Sequence, residues 1–425
     1  MTCSMKTATR RQSKAAAFEG FLNRLNENRY RFTLGRIKKA LRLLGGPQNS
    51  FDVIHCAGSN GKGSACSYIS SILSSHGIKT GLYTSPHLKH PRERIKINDK
   101  DISPGLFVRE GLKLKKKLAA AKIKLTYFEF MTALAFCVFR ALKVRFAVIE
   151  TGLGGRLDAT NVNYKRKKLS ILTSVSLEHT AYLGNTKKKI LLEKEKIIGR
   201  GRCVHNLKDK KLSVLLEKLH PGKIYDAERM ITVKGASSGE GGCSAHFGYK
   251  GGMTARTVMR EPVQLENIRT ALASLCVLEE QGHVFSAAKV KQGILNTRVR
   301  ARFELKNGIY LSTAHNAEAF EKLFETLDIM QGGKRAVVVF SLLEDKDAEA
   351  ILKIIASRPG VTLVLTRIEN RRALAIEKLE KFVVRYSIKH VIEPDNFSAL
   401  KTARTLAAGG VVVVAGSFYL AGRFA

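Results

Sequence analysis

The sequence predicts an α/β protein in which two domains follow each other along the chain, each built on a mainly parallel sheet. Short apolar runs rich in β-branched residues alternate with longer segments of helical spacing, which is typical of parallel sheets covered by helices. A glycine-rich turn follows the first apolar run, and a new series of such runs begins after about residue 305. The 425 residues are sufficient for two units of this kind.

The predicted strands and helices follow one another over most of the chain. Strands are expected at 52–57, 79–84, 146–151, 170–175, 309–314, 336–341, 361–366 and 411–415. Helices are expected, among others, at 64–75, 128–142, 187–198, 266–281, 317–330 and 346–356. The glycine-rich segment 235–252 interrupts the alternation, and we expect a hairpin or a surface loop there.

The alternation and the composition divide the chain into four regions. Residues 1–18 contain Lys and Arg but no acid, and they predict a disordered basic tail. Residues 19–296 are expected to form the N-terminal, central domain, and residues 297–304 a linker. Residues 305–425 predict a smaller, Rossmann-like C-terminal domain.

The net charge of +37 at neutral pH is the most unusual global property. Such a charge invites a nucleic-acid partner, because Lys and Arg release counterions when they bind phosphate backbones. The basic clusters are scattered along the chain, however, and no stripe interleaves them with aromatic residues. We therefore expect a lysine-rich solvated surface that also attracts anionic small molecules, and no nucleic-acid partner.

The cysteines and the apolar runs bear on the compartment. The seven cysteines are widely spaced and form no C-x-x-C pair, so neither a disulfide framework nor a zinc ribbon is indicated. No apolar run is long enough to cross a bilayer. These observations predict a cytoplasmic protein without a membrane partner.

Residues 58–64, Gly-Ser-Asn-Gly-Lys-Gly-Ser, are the most informative stretch, and we call them the phosphate loop. An apolar strand precedes them and a helix-like segment follows. Glycines with positive φ let successive backbone N–H groups form a concave anion site at a helix N-terminus. The spacing departs from the standard G-x-x-x-x-G-K-[ST], because Cys56 replaces the first glycine and Gly63 separates Lys62 from Ser64. The loop predicts a P-loop nucleotide-binding domain; the alternative is an ordinary glycine-rich turn.

Three polar side chains follow predicted strands: Ser85, Glu150 and His179. Because the carboxyl ends of parallel strands share one edge of a sheet, Glu150 and His179 are expected to converge beside the phosphate loop. A hydroxyl, a carboxylate and an imidazole around phosphates suit a magnesium site. Each signal is weak alone, since a single His at a strand end is more often structural and the glycines at 152–155 could form only a turn.

Together these segments resemble the folylpolyglutamate synthase and dihydrofolate synthase family of the Mur ligase superfamily. The phosphate loop is similar to the family's G-T-N-G-K-G-S, and residues 84–94 are similar to its T-S-P-H-L…R-E-R loop. Residues 150–161 resemble E-x-G-L-G-G-R-L-D-A-T-N, the most specific of these motifs. The resemblance extends from about Phe18 to Gly422.

The resemblance implies a nucleotide site for ATP. Its residues would be Gly58, Asn60, Gly61, Lys62, Gly63, Ser64, Asn267, Arg302 and Ser312. Lys62 and Arg302 would contact the phosphates, Asn267 would lie near the adenine, and Ser312 takes the place of an aspartate near the ribose. Lys62, Arg302 and His315 are the implied catalytic residues, with His315 orienting substrate.

The resemblance also implies two Mg²⁺ ions. Ser85, Glu150 and His179 match the family's metal positions, and Lys194 matches a lysine that is carbamylated and helps to hold the second ion. A carbamate converts an ammonium into an anionic oxygen ligand, which suits a hard cation.

The chain departs from the family motifs at several positions. The family's S-L-D-H reads S-L-E-H with Glu178, and E-K-A-G-I-I has Glu195 and Lys196 in place of Ala-Gly. Val263 replaces the histidine of H-Q-x-x-N. In the C-terminal domain, D-G-A-H-N-P reads Ser-Thr-Ala-His-Asn-Ala over residues 312–317. The linker reads Arg-Val-Arg-Ala-Arg over residues 298–302 in place of R-W-P-G-R. The changes at 298–302 and 312–317 lie where domain closure would build the site, and they allow a weakened or repurposed enzyme.

The activity implied by the resemblance is ATP-dependent formation of an amide bond. L-glutamate would be added to dihydropteroate, to reduced folates, or to both, through an acyl phosphate, by a monomeric enzyme. Two alternatives stay open: a ligase of the same superfamily that acts on another carboxylate, and an inactive ligase fold that binds nucleic acid.

Overall fold

The computed structural model describes residues 2–25, 33–331 and 335–425, and its first sheet has eight strands. In chain order these are β1 (Asp52–Ala57), β2 (Thr80–Tyr83), β3 (Ile95–Ile97), β4 (Lys100–Asp101), β5 (Phe146–Glu150), β6 (Lys167–Leu172), β7 (Cys203–His205) and β8 (Ile224–Asp226). They lie in the order β4-β3-β2-β5-β1-β6-β7-β8. All pairs are parallel except β2 with β3 and β3 with β4.

Eleven helices accompany this part of the described chain. They are α1 (Thr2–Arg24), α2 (Gly35–Leu43), α3 (Lys62–Ser75), α4 (Pro104–Ala120), α5 (Tyr127–Ala141), α6 (Thr180–Leu183), α7 (Lys187–Lys194), α8 (Lys210–Leu219), α9 (Ala227–Met230), α10 (Val263–Glu279) and α11 (Ala287–Asn296). Helices α3 and α10 pack in one apolar core, and α1, α2 and α5 pack in another. The sheet is thereby buried on both faces, as parallel sheets require.

A small antiparallel sheet lies between the two large ones in sequence. It contains β9 (Val233–Gly239), β10 (Gly242–Phe247) and β11 (Met253–Thr257), in the order β11-β10-β9. The glycine-rich segment therefore forms a hairpin, one of the two expected outcomes. Alternate residues of β10 and β11 are buried, and they pack in the same core as α3 and α10.

The third sheet belongs to the C-terminal part of the chain. Its strands are β12 (Arg302–Lys306), β13 (Ile309–Ser312), β14 (Ala336–Phe340), β15 (Val361–Leu365), β16 (His390–Ile392) and β17 (Val411–Ala415), in the order β12-β13-β17-β14-β15-β16. Only β12 is antiparallel to its neighbour. The helices are α12 (Ala317–Gln331), α13 (Ala348–Ala356), α14 (Ile376–Arg385), α15 (Asn396–Ala407) and α16 (Phe418–Phe424). The predicted α/β class with two mainly parallel sheets is confirmed.

Strand β1 places the phosphate loop at the middle of the first sheet. Its six residues are all buried, because β5 and β6 flank it and helices cover both faces. Cys56 lies beside Glu150 and Ala57 beside Leu172 in the strand register. The carboxyl ends of β1, β5 and β6 therefore open at the same edge, where a ligand crevice is expected.

Two regional predictions differ from the structure. Residues 1–18 were expected to be disordered, but α1 includes Thr2 to Phe18, and the Phe18 side chain is fully buried against Phe107 and Phe130. The basic residues of this segment led to the prediction of a disordered tail, and the burial of Phe18 was therefore not expected from the sequence. The expected linker 297–304 is partly strand, since β12 begins at Arg302.

No helix among the described residues is long and apolar enough to cross a membrane. This finding agrees with the absence of long apolar runs in the sequence.

Candidate functional site

A cavity of about 240 Å³ opens at the carboxyl ends of strands from both large sheets. Ten of the predicted site residues line it: Asn60, Gly61, Lys62, Gly63, Ser85, Glu150, His179, Lys194, Arg302 and His315. They come from positions up to 255 residues apart in sequence, from Asn60 to His315, and the two sheets bring them together at one place. Four predicted residues, Gly58, Ser64, Asn267 and Ser312, are not part of the lining.

The four remaining residues lie behind the cavity surface. Gly58 adopts a φ of +152°, and a Cβ there would come within 1.9 Å of Thr173 Oγ1. Ser64 is buried inside α3. Ser312 was expected near a ribose, but its side chain is buried and its Oγ accepts a hydrogen bond from Ala314 N at 3.2 Å.

Asn267 supports the phosphate loop from α10. Its Oδ1 lies where a Cβ on Gly61 would approach to 2.6 Å, and Gly61 has a φ of +83°. Only glycine fits this position, since it combines left-handed backbone with close packing. Gly63 was also expected to adopt positive φ, but it lies in the first turn of α3 and keeps a negative φ. The loop therefore needs left-handed backbone at two glycines and not three.

Lys62 folds back over the phosphate loop. Its Nζ donates hydrogen bonds to the carbonyl oxygens of Gly58 at 2.8 Å and Ser59 at 3.0 Å. The ammonium is thus held at the mouth of the loop, where a phosphate bound by the loop's N–H groups would meet it.

Glu150 ends β5 opposite this ammonium and is only 4% exposed. Its Oε2 accepts a hydrogen bond from Ser85 N at 3.1 Å. Burial raises the pKa of Glu150, and the positive charges of Lys62 and Arg302 oppose that rise. A cation bound at this carboxylate would favour its charged form further.

Lys194 is a buried lysine whose partner is Glu178. Its Nζ donates to Glu178 Oε1 at 2.5 Å and to the Gly58 carbonyl oxygen at 2.9 Å. Burial lowers the pKa of Lys194, and the Glu178 carboxylate opposes this effect. Burial alone would raise the pKa of Glu178, but mainly Lys194 and Lys62 bring it down to about 2.

His179 contacts the C-terminal domain and not the other predicted metal ligands. Its Nδ1 lies 3.9 Å from Asp345 Oδ2, and Asp345 also pairs with Lys346 at 3.2 Å. Burial and the charge of Lys346 lower the pKa of His179 to about 4. His179 precedes α6 and adopts a φ of +67°. This left-handed backbone conformation fixes the direction in which its side chain leaves the main chain.

His315 and Arg302 occupy the opposite wall. His315 Nδ1 lies 2.8 Å from the Thr313 carbonyl oxygen, and its ring packs edge-on against Phe418. Arg302 lies over the same aromatic ring at 5.9 Å. Burial and Lys346 lower the pKa of His315 to about 3, so the imidazole is neutral at physiological pH. A neutral ring that donates through Nδ1 leaves Nε2 as an acceptor.

Asn60 joins the phosphate loop to the C-terminal domain. Its Nδ2 donates to Glu318 Oε2 at 2.5 Å, and its Oδ1 accepts from Asn316 Nδ2 at 3.0 Å. Asn316 Oδ1 also accepts from Ala319 N at the start of α12. The side-chain amide of Asn60 is therefore engaged by the second domain at both of its polar atoms.

One part of the cavity lining is apolar or aromatic. It consists of Pro86, Tyr127, Phe128, Leu153 and Leu157, which we call the aromatic slot. The Phe128 ring lies so close to Gly152 that a Cβ there would come within 2.6 Å of it. A planar, partly apolar ligand with a charged end fits a slot that leads to a phosphate loop.

The donor atoms near the phosphate loop suit magnesium better than a softer metal. Ser85, Glu150 and Glu178 supply oxygen atoms to the cavity, and these are the ligands Mg²⁺ prefers. No group of three or more His, Cys, Asp or Glu within the described ranges could hold a metal ion by itself. Magnesium commonly takes one or two carboxylates and completes its shell with water and phosphate oxygens, so Ser85 and Glu150 fit a nucleotide-bound ion.

Comparison with known proteins agrees with this architecture. Residues 301–418 match the family described as "Mur ligase, glutamate ligase domain". The chain is 33% identical over 414 residues to a probable dihydrofolate synthetase of Schizosaccharomyces pombe, with 92% of this chain and 96% of that protein covered. The chain belongs to the folylpolyglutamate synthase and dihydrofolate synthase family.

Two further relatives extend the comparison. The dihydrofolate synthetase of Saccharomyces cerevisiae is 30% identical over 424 residues, covering 92% of this chain and 96% of that one. The folylpolyglutamate synthase of Mycobacterium tuberculosis, solved with ADP and AMPPCP, superimposes with a TM-score of 0.85 at 28% identity and 97% coverage of both chains. The family therefore shares the whole fold and not only one domain.

The structure gives contacts to several residues that the sequence reading left without a role. Glu178 was noted only as a replacement in the S-L-D-H motif of the family, yet it holds Lys194. Asp158 lies within the quoted glycine-rich motif, and Glu318 follows the His-Asn pair by two positions. Asp158 could have been singled out from the sequence, because it lies inside the quoted motif. The contact of Glu318 with the phosphate loop could not, because it depends on how the two domains are placed.

The two low histidine pKa values predict how stability responds to acid. An unfolded histidine takes up a proton near pH 6.5, whereas folded His179 and His315 do so only near 4 and 3. Between these values the unfolded state binds more protons, so stability falls as pH falls. Urea unfolding at pH 7.5 and 5.0 should show a smaller pH dependence in His315→Gln than in the unaltered chain. An identical dependence would show that His315 is not held neutral.

Proposed function

We propose that this protein is an ATP-dependent ligase that joins L-glutamate to the carboxylate of dihydropteroate. The observation that carries the proposal is one cavity in which the phosphate loop, Lys62, Glu150 and Arg302 meet the aromatic slot. The pterin ring of dihydropteroate suits the aromatic slot. The carboxylate at the other end of the molecule would then point toward the phosphates of ATP. Three relatives are matched over 92% of this chain: the two yeast proteins are named as dihydrofolate synthetases, one of them as probable, and the third is named as dihydrofolate synthase/folylpolyglutamate synthase.

Reduced folates are the second candidate acceptor. A Bacillus subtilis relative that is 32% identical over 350 residues is named as both dihydrofolate synthase and folylpolyglutamate synthase. Both reactions attach glutamate to a carboxylate through the same nucleotide site.

The chemistry follows from the poor reactivity of a carboxylate. Transfer of the γ-phosphoryl group of ATP to an acceptor oxygen forms an acyl phosphate and releases ADP. The glutamate amine then attacks the carbonyl carbon, a C–N bond forms, the C–O bond to phosphate breaks, and the amine proton goes to solvent. Positioning and neutralisation of charge are the main tasks of the protein in such a reaction.

Lys62 and Arg302 are the cations proposed for these tasks. Lys62 already lies at the mouth of the phosphate loop, and Arg302 lies across the cavity on β12. Preorganised charges of this kind stabilise negative charge as it develops on the phosphoryl oxygens. His315, with a pKa of about 3, is too weak a base to hold the amine proton at neutral pH. We assign it the orientation of substrate through Nε2.

Ser85 and Glu150 would hold a magnesium ion that accompanies the nucleotide. Such an ion would polarise the phosphoryl oxygens and offset their charge. His179 faces Asp345 in this structure, so it would have to turn from that contact to join the metal shell.

Lys194 is proposed as a carbamate ligand of a second magnesium ion. Its lowered pKa favours the neutral amine that reacts with CO₂: an N–C bond forms and the amine proton goes to solvent. The resulting anion would lie against Glu178, and two neighbouring anionic groups favour a bound cation. We expect lower activity in CO₂-depleted buffer, restored by bicarbonate. Activity independent of bicarbonate would contradict the modification.

Incorporation of labelled glutamate tests the proposal directly. The purified protein with Mg-ATP should give product with 7,8-dihydropteroate, and a parallel reaction with tetrahydrofolate decides whether polyglutamylation also occurs. Product from tetrahydrofolate alone would show that the acceptor is a reduced folate and not dihydropteroate. No product from either, with folding confirmed by circular dichroism, would favour another carboxylate substrate or the inactive nucleic-acid-binding alternative.

A further inference from the structure

His55 is a buried titratable residue that the proposed chemistry does not use. It lies on β1, three residues before the phosphate loop, and its side chain is fully buried. It does not line the cavity. Its Nε2 lies 2.8 Å from the hydroxyl of Thr160, which is 105 residues away in sequence.

Thr160 also contacts Asp158, which lines the cavity. Thr160 Oγ1 donates to Asp158 Oδ1 at 2.5 Å, and Thr160 N donates to the same oxygen at 2.9 Å. Asp158 Oδ2 accepts from Gly152 N and Leu153 N, both at 2.9 Å. The carboxylate therefore fixes the backbone of residues 150–160, which we call the acceptor wall because Leu153 and Leu157 form part of the aromatic slot.

The positions of the hydrogen atoms in this chain of contacts follow from counting donors. Thr160 has one hydroxyl hydrogen, and it is donated to Asp158 Oδ1; both carboxylate oxygens of Asp158 also accept backbone N–H groups. The atom that donates to Thr160 Oγ1 must then be His55 Nε2. A neutral imidazole has one N–H, so Nδ1 of His55 carries no hydrogen. That buried atom has no hydrogen-bond partner in the described parts of the chain.

Tyr164 closes the cluster on the far side of His55. Its ring packs edge-on against the imidazole at 5.7 Å, and its hydroxyl donates to the Thr160 carbonyl oxygen. His55 is thus held by packing against Tyr164 and by its hydrogen bond with Thr160, and Thr160 is also hydrogen-bonded to Asp158 and Tyr164.

We propose that His55 is a positioning residue that sets the acceptor wall from the strand carrying the phosphate loop, through Thr160 and Asp158. His55 contacts neither substrate. It connects the acceptor wall to β1, so that the acceptor and the nucleotide are held in a fixed position relative to each other. The proposal rests on the proposed function for the identity of the acceptor, and on the contacts above for the arrangement itself.

Nitrogen NMR tests the arrangement without any activity. In protein labelled with ¹⁵N-histidine, the signals of His55, assigned by their loss in His55→Gln, should show a neutral Nε2–H ring from pH 6 to 8. Thr160→Val should shift the Nε2 signal, since the acceptor is removed. A protonated ring or an Nδ1–H tautomer would overturn the proposal whatever the enzyme does.

Kinetics with each substrate separate positioning from a general loss of structure. His55→Leu should raise KM for dihydropteroate about tenfold and leave KM for ATP within about twofold, because the lost donor frees only the acceptor wall. Thr160→Val should do the same, the double variant should add little, and His55→Gln should recover most of the loss. If His55→Leu fails to fold, Thr160→Val and the NMR carry the test.

A second buried histidine supplies the matched control. His205 lies on β7 of the same sheet, is fully buried, and has a hydroxyl partner of its own in Ser213 at 3.3 Å. His205→Leu should lower stability without changing KM for dihydropteroate relative to KM for ATP. Equal rises in both KM values in His55→Leu, or an unchanged KM for dihydropteroate, would refute a positioning role in an active enzyme. An inactive unaltered chain would refute the proposed function and leave the NMR result to decide the arrangement.

Discussion

Replacement of Lys62 by alanine should reduce glutamate incorporation by at least about a thousandfold, because a preorganised cation at the transferred phosphoryl group is lost from a site that excludes water. The fold should survive. Lys62 makes two hydrogen bonds, both to carbonyl oxygens of its own loop, and neither holds a helix or a strand in place. Steady-state turnover and thermal unfolding measured on the same preparation separate the two effects.

An exposed lysine provides the control for this experiment. Lys187 lies at the exposed start of α7, so Lys187→Ala removes the same charge at a distance from the cavity. Its turnover should stay within about twofold of the unaltered chain, as for most surface substitutions. If Lys62→Ala kept a turnover within tenfold of normal, the proposed role of the phosphate loop in the reaction would be wrong.

The second large effect is expected for Glu150→Gln. The amide keeps the volume of the carboxyl group and an oxygen that can accept from Ser85 N, but it removes the charge that would hold a magnesium ion. We expect kcat to fall about a hundredfold or more and the Mg²⁺ concentration for half-maximal rate to rise. Stability should stay equal or increase, because burial disfavours the charged form of this carboxyl group more than that of an exposed one.

Asp52 is a matched acid at the opposite end of the same strands. It is 1% exposed, lies beside Phe146 in the register, and pairs with Arg166 at 2.8 Å. Asp52→Asn should therefore lower stability and retain activity, the reverse of Glu150→Gln. If Glu150→Gln turned over normally at low Mg²⁺, the proposed metal role of Glu150 would be wrong.

Much of the fold was accessible from the sequence because the buried strands are short, continuous apolar runs. Strands such as β1, β14 and β17 were placed within about a residue of their observed bounds. The less apolar elements were missed: β3 and β4 lie at the sheet edge, and α4 has an apolar face interrupted by a run of lysines. Helix α1 shows the same limit, since only packing against Phe107 and Phe130 reveals its buried face.

The cavity lining was accessible to a similar degree, but the contacts within it were not. Glu150 lines the cavity, as expected for the last residue of a central strand. Lys62, indicated by the phosphate loop, and Lys194, indicated only by the family resemblance, line it as well. The partner of each depends on tertiary distance. No spacing rule pairs Lys194 with Glu178 or His179 with Asp345, because those contacts need the positions of two separate segments.

The double engagement of Asn60 by Asn316 and Glu318 has a thermodynamic consequence for the two domains. Any nucleotide that moves this amide also changes the free energy of the contact between the domains. Reciprocity then requires that a ligand which displaces the second domain alter nucleotide affinity by the same factor. The phosphate loop is thus one of the places where the two domains meet as well as a proposed binding surface, and the contacts of Asn60, like that of His179 with Asp345, would link occupancy of the nucleotide site to the position of the second domain.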